Sequence, residues 1–182
     1  RDWLGAEFGV PAGAPVVAMA AQLIPRKGHH TLLRALPAVL GAHPHLHVLL
    51  FGQGRLEKAL AEGAAALGEG GQVRLCGFRD DLERILPGVD LVVHPARMEG
   101  LGVVLLQAAA CAVPVVATRV GGIPDAVADG ETGVLVPADD PEALADAMNG
   151  LLAAPDRRRA LGAPARARVE PGFSIPAKAA AY

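Results

Sequence analysis

The 182-residue sequence is poor in the residues on which much enzyme chemistry depends. It contains one serine, Ser174, in a proline-flanked tail. A serine nucleophile needs a rigid turn and a positioned base, as in G-x-S-x-G, and Ser174 has neither. Two cysteines, Cys76 and Cys111, cannot build a disulfide framework, which points to a reducing compartment. Both stand in apolar context and read as inert buried thiols rather than reactive ones. There is no C-x-x-C, no H-E-x-x-H and no G-x-x-x-x-G-K-[ST] pattern, so neither a metal motif nor a P-loop stands out. Charge of one sign is also lacking: 17 Lys and Arg stand against 19 Asp and Glu, a net charge of −2. A dedicated nucleic-acid binder is usually strongly basic, so this balance argues against one.

Strong membrane signals are absent as well. The start, Arg1-Asp2-Trp3-Leu4-Gly5, lacks the apolar run of a signal peptide, and it lacks an initiator Met. We read the chain as a piece of a longer one. Gly100 to Thr118 carries no charge and approaches the length of a membrane span. Pro114 splits it into a buried helix and a buried strand, Val115-Val116-Ala117, and we reject the membrane reading.

What is present is apolar and regular. Hydrophobic residues make up 52% of the chain and charged ones 20%, which excludes disorder and gives one domain with a full core. Strand-like runs lie at Val16–Leu23, His47–Phe51, Val73–Leu75, Asp90–Val93, Pro114–Thr118 and Gly133–Val136. Helix-like stretches fall at His30–Gly41, Leu56–Leu67, Asp81–Leu86, Leu101–Ala112, Ile123–Ala128, Pro141–Ala153 and Asp156–Val169. The strands are apolar on both faces, as in a parallel sheet covered by helices. The predicted class is therefore α/β, a doubly wound, Rossmann-like parallel sheet. Asp81 and Asp140-Pro141-Glu142 read as helix starts. Pro37 should kink or split its helix. The tail after Glu170 is where compactness ends.

In such a sheet, ligands bind beyond the carboxyl ends of the strands. Three loops there carry chemistry. Ile24-Pro25-Arg26-Lys27-Gly28 offers two cations for a diphosphate and a glycine for close backbone approach. Phe51-Gly52-Gln53-Gly54 is half of a dinucleotide fingerprint, without its third glycine, and reads as a tight turn walling a pocket. His94-Pro95-Ala96-Arg97-Met98-Glu99-Gly100-Leu101-Gly102 leads into an apolar helix whose free amides suit a phosphate. Glu99 beside that site is placed to accept hydrogen bonds from sugar hydroxyls. Gln107, eight residues on, would lie about 12 Å along a helix and could grip the ribose. A helix cap with a buried glutamine is the structural alternative.

The histidines leave alternatives open. His43, His45 and His47 alternate and would share one side of a strand, as a metal site or as a solvated loop. His29 and His30 precede a helix, either in solvent or near the ligand. His94 ends a strand at the ligand edge and is a candidate contact. The cluster Arg157-Arg158-Arg159 with Arg166 and Arg168 reads as a solvated helix face, or as a patch for an anionic membrane or acidic partner.

Several motifs occur together in a recognisable order: Lys27-Gly28, Gly52-Gln53-Gly54, Val73-Arg74-Leu75-Cys76-Gly77-Phe78, Glu99-Gly100-Leu101-Gly102, Pro114-Val115-Val116-Ala117, Val120-Gly121-Gly122-Ile123-Pro124 and Asp129 to Pro137. From about residue 14 to Ser174 the chain resembles the C-terminal, donor-binding half of GT-B glycosyltransferases of family 4. The resemblance implies that residues 1–182 form a single nucleotide-sugar-binding domain, one half of a GT-B fold. The N-terminal acceptor domain lies outside this chain, so the fragment alone should not turn over. It implies a retaining sugar transfer from a UDP- or GDP-sugar to an unknown acceptor, with no cofactor and no bound metal. It places the protein in the cytoplasm, with peripheral contact to the inner membrane face as an extension.

By the same resemblance Lys27 neutralises the donor diphosphate and Glu99, the first acid of an E-x7-E motif, stands by the transferred sugar. These two are the catalytic candidates. Arg26, Gly28, Gly52, Phe78, Gly100, Leu101, Gly102 and Gln107 are the donor-binding candidates, with Phe78 along the base. The sequence departs from the family at Gln22, where an arginine is frequent, and at Gln107, where the second glutamate of E-x7-E usually stands. Two other readings remain: a nucleotide-sugar epimerase of GT-B architecture, and a degenerate non-catalytic binding domain.

Overall fold

Five of the six strands carry apolar side chains at both odd and even positions, and the sheet shows why. In the computed structural model, which describes residues 2–68 and 70–172, helices pack on both of its faces. The elements in order are α1 (Asp2–Phe8), β1 (Val16–Ala20), a 3-10 turn (Pro25–Lys27), α2 (His29–Ala42), β2 (His47–Phe51), α3 (Glu57–Ala65) and β3 (Val73–Leu75). There follow α4 (Leu82–Ile85), a second 3-10 turn (Leu86–Gly88), β4 (Leu91–His94), α5 (Val103–Ala110), β5 (Val115–Thr118), α6 (Ile123–Ala126), β6 (Gly133–Val136), α7 (Pro141–Leu152) and α8 (Pro155–Gly172).

The six strands are parallel, in the order β3-β2-β1-β4-β5-β6. Alternation along each strand divides the core in two. Val16 and Ala18 point to one side, with Leu49, Phe51, Val92 and Ala117, against Leu4 and Phe8 of α1, Leu105 of α5 and Ile123 of α6. Val17 and Met19 point to the other, with Val48, Leu50, Val93 and Val116, against Leu32, Leu36 and Val39 of α2 and Leu144, Met148 and Leu151 of α7. Each of the Val, Leu, Ile, Phe and Met side chains among these contributes roughly 1.5–3 kcal/mol by leaving water. The α/β expectation holds, and β2, β3 and β6 fall where the apolar runs placed them.

Four local expectations need correction. Pro37 neither breaks nor splits α2, which runs unbroken from His29 to Ala42. Pro37 faces solvent, where water can serve the carbonyl that lost its amide partner. Asp81 sits at the start of α4 but caps nothing, because Arg79 holds its carboxylate, with contacts of 2.7 Å to each oxygen. Asp140 does cap, accepting the Ala143 amide at 2.9 Å. The helix expected from Leu101 begins at Val103. The first helix, α1, had no sequence signal; it is anchored by edge-on ring contacts, Trp3 to Phe8 and Phe8 to Phe51. The tail from Phe173, Ser174 included, lies outside the described residues.

The basic cluster is partly structural. The Arg158 guanidinium donates to the Leu151 and Leu152 carbonyls, both at 2.7 Å, and pairs with Asp90 at 3.6 Å, tying α8 to α7 and to the start of β4. Arg157, Arg159 and Arg168 remain at the surface or half-exposed. Among the described residues no helix is long and apolar enough to cross a membrane.

Leu36 is fully buried between the sheet and α7. Leu36→Ala should lower the unfolding free energy by about 2–5 kcal/mol, read as a lower urea midpoint at unchanged slope. A midpoint within error of the wild type would contradict this packing.

Candidate functional site

Chain order reverses in the sheet between β1 and β4, so the loops after these strands diverge and leave a crevice. The backbone there is close-packed. Gly28, in the left-handed conformation at φ 76°, ends the 3-10 turn after β1, and a Cβ at this position would collide with the Pro95 carbonyl oxygen. The loop after β4 is thus pressed against the loop after β1; the Arg97 amide also donates to the Arg26 carbonyl at 2.8 Å. From the other side Gly121, at φ 52°, rests on the Glu99 carbonyl as tightly. The segment carrying Glu99 is clamped between two neighbouring loops.

Glu99 is the centre of the site. Its Oε2 accepts a hydrogen bond from the Lys27 ammonium and lies 2.8 Å from Nε2 of His94, while Oε1 accepts the Gly100 amide at 3.0 Å. The His94 hydrogen bond, with Lys27 beside it, outweighs the cost of burial and holds the Glu99 carboxyl at about 2, against an ordinary 4.5. The Glu99 and Lys27 side chains are only 9% and 11% exposed. Sequence reasoning assigned them to different parts of one ligand; the fold joins them directly.

Two cavities open here and share Ala20, Ala21 and Val104 as a common wall. The smaller, about 330 Å³, is lined by Lys27, His94, Glu99, Leu101, Gly102 and Val103. The larger, about 540 Å³, is lined among others by Gln22, Gly52, Gln53, Phe78, Arg79 and Gln107. Of the expected residues, Lys27, Glu99, Leu101 and Gly102 therefore gather in one chamber, and Gly52, Phe78 and Gln107 in the next. Gly102 is the N-cap of α5 and supplies no side-chain acceptor to the first-turn amides. Phe78 is 63% exposed at the rim.

Arg26, Gly28 and Gly100 line neither cavity. Arg26 is exposed and acts through its carbonyl, Gly28 is the packing contact just described, and Gly100 spends its amide on Glu99. The helical spacing from Glu99 to Gln107 does not apply either, because residues 99–102 precede α5.

Two residues gain weight that the sequence did not give them. Arg79 lines the larger cavity and is held by Asp81, by Glu7 at 2.6 Å, and by the Trp3 and Phe8 rings at 5.8 and 5.5 Å. Helix α1 thus braces a cavity wall; the position directly after Phe78, in a loop following a strand, was the available signal. His94, a candidate contact by position, is 2% exposed and touches Glu99. His29 is buried and His30 exposed.

The other candidates separate from the site. His43 ends α2, His45 lies in an exposed turn and His47 alone is on a strand, so the three do not share a face. Among the described residues no group of three or more His, Cys, Asp or Glu is placed to hold a metal. Burial pushes the Cys76 thiol up to about 11, consistent with an inert role, and Cys111 is raised for the same reason. A cavity of about 940 Å³ lies at the opposite, amino end of the sheet, lined by Pro11–Pro15, His45, His47 and Gln72. It lacks the lysine, carboxylate and helix start that converge at the switch point.

A parallel sheet with a crevice at its switch point, walled by these loops, has counterparts among known proteins. The family model for glycosyl transferases group 1 matches residues 5–168. The chain belongs to that family. It is 37% identical over 177 residues to the GDP-mannose-dependent monoacylated alpha-(1-6)-phosphatidylinositol monomannoside mannosyltransferase of Corynebacterium glutamicum, covering 92% of this chain and 46% of the relative. The crystal structure of Anabaena HepE in complex with UDP-glucose superposes with a TM-score of 0.88 at 28% identity, covering 99% of this chain and 50% of that one. The C-terminal domain of the group 1 glycosyl transferase LpcC from Francisella tularensis shares the fold, with a TM-score of 0.83 at 23% identity, covering 96% of this chain and 93% of that one. The chain thus spans about half the length of the longer proteins.

The depressed Glu99 ionisation has a signed consequence. Its contribution to stability is complete above the ordinary carboxyl value of 4.5 and is lost as pH falls toward about 2. The stability gap between wild type and Glu99→Gln, from urea unfolding, should therefore narrow between about pH 5 and about pH 2.5. A constant gap would contradict the ionised, doubly held carboxylate.

Proposed function

We propose that this chain is the donor-binding domain of a two-domain retaining glycosyltransferase, working with an N-terminal acceptor domain outside residues 1–182. The observation that carries this reading is the meeting of Lys27, Glu99 and the uncapped start of α5 around one chamber. An ammonium and free helix amides supply positive charge to a diphosphate, and no bound metal is assigned a part. Glu99, acceptor-only when ionised, bonds hydroxyls of the sugar. The adjoining chamber, with Gly52, Phe78 and Gln107, takes the nucleoside: Gln107 the ribose and Phe78 the edge of the base. Gly28 and Gly100 serve by holding the loops, as does the carbonyl of Arg26.

In the transfer the bond from the anomeric carbon to the diphosphate oxygen breaks. A bond from an acceptor hydroxyl oxygen forms with the same anomeric configuration, and the hydroxyl proton passes to the departing diphosphate oxygen. Charge grows on the departing diphosphate, where Lys27 and α5 face it. Support for a UDP- or GDP-sugar comes from the named relatives, one dependent on GDP-mannose and one solved with UDP-glucose. The mannosyltransferase name favours transfer over epimerisation.

Calorimetric titration of the chain with UDP, GDP, UDP-glucose and GDP-mannose tests the proposal. At least one sugar nucleotide should bind. Lys27→Ala should weaken a nucleoside diphosphate by about tenfold or more and the matching nucleoside much less. Equal losses would contradict the role of Lys27. Gln107→Glu should keep or improve binding of the sugar nucleotide; a marked loss would place Gln107 in packing rather than at the ribose.

A further inference from the structure

Two buried imidazoles stand behind Glu99, and donor binding as proposed above leaves them unused. His94 ends β4, where its backbone is in register with Ala117 of β5, and its side chain is 2% exposed. Its Nε2 meets Glu99, while its Nδ1 is buried with no partner. His29, the first residue of α2, is 1% exposed, and both of its ring nitrogens are buried and unpartnered. The two residues flank the backbone contact between Gly28 and Pro95, and their rings lie within electrostatic reach of each other.

The valences of these rings are complementary. An ionised carboxylate only accepts, so the bond to Glu99 requires the proton of His94 on Nε2. In the neutral ring that leaves Nδ1 as a bare acceptor. His29, kept neutral chiefly by its burial, has one N–H to give and one lone pair to spare. No direct bond joins the two rings, and the His29 N–H can serve His94 Nδ1 across one buried water. Buried polar groups are almost always paired, and this is the pairing the placement allows.

Lys27 has two claims on it. It bonds Glu99 in the structure, and the proposed donor brings a diphosphate that competes for the same ammonium. Once Lys27 turns to phosphate, Glu99 keeps its neighbour Gly100 and the ring on β4. We infer that His94, backed by His29, is the positioning residue that keeps the Glu99 carboxylate aimed into the sugar chamber when a diphosphate draws Lys27 away. The inference rests on the proposed donor-binding role and deepens it: recognition of the sugar, as distinct from the nucleotide, passes through a histidine pair that need not touch the ligand.

Imidazole-nitrogen NMR of the unliganded chain reads the arrangement without any ligand. We expect the His94 tautomer that carries its proton on Nε2, a His94 resonance that moves in Glu99→Gln, and a His29 that stays neutral from about pH 5 to about pH 8. A proton on Nδ1 of His94, or a His29 that titrates near its ordinary value, would overturn the pair. Calorimetry then reads its consequence. In His94→Leu the ratio of UDP-glucose to UDP affinity, or of GDP-mannose to GDP affinity, should fall about tenfold, and His94→Gln, which restores a donor at the Nε2 position, should recover most of it. Equal loss for the sugar nucleotide and the bare diphosphate, or no recovery by glutamine, would overturn the positioning role. Failure of the wild type to bind any sugar nucleotide would instead refute the donor-domain reading, while the NMR result decides the His94–Glu99 link by itself.

Discussion

One carboxylate organises this molecule's crevice. Glu99 carries its charge in a mostly covered place because Lys27 reaches it from the loop after β1 and His94 from the last position of β4. A partly buried ion without partners would give up its charge instead. The need to keep Glu99 ionised therefore fixes where the loops after β1 and β4 end. Gly28 and Gly121 are the backbone expression of that need: each lets one loop lie against the Glu99 segment where any Cβ would hold it away.

The rest of the fold serves that convergence. Parallel strands apolar on both faces put all six carboxyl ends on one edge, and the reversal of order at β1 and β4 opens a crevice between diverging loops. Alanine at positions 20 and 21, and Val104 at the start of α5, make a low wall between the two chambers. Small side chains there leave room for a ligand that extends from one chamber to the other. Helix α1, remote in the chain, closes the far side by gripping Arg79 through Glu7, Trp3 and Phe8.

The architecture was legible because its signal is redundant. Apolar runs of strand length, such as His47–Phe51 and Gly133–Val136, recur with helix-length stretches between them, and buried parallel strands leave few other readings. The site was legible in part. Lys27, Glu99, Leu101 and Gly102 follow strands directly, so a rule about strand ends finds them. That Lys27 and Glu99 bond each other was not legible, because residues 72 positions apart are paired only by the sheet order. Asp81 misled because its cap signal is local, whereas its actual partner, Arg79, is recruited by α1. Pro37 does not split its helix because the cost of proline there depends on which face it occupies, and here that face is wet. His29 looked like half of a polar His-His pair; only the fold separates the buried ring from the exposed one.

Membership of the group 1 glycosyl transferases gives the frame, and the account's own claim is narrower: a diphosphate lies between the Lys27 ammonium and the first amides of α5. Mapping backbone amide shifts during titration of the chain with UDP, and in parallel with GDP, tests this most directly. The account predicts that Val103, Val104 and the Lys27 loop move first and furthest. Shifts gathered instead around Pro11–Pro15, His45 and His47, at the amino end of the sheet, would contradict it.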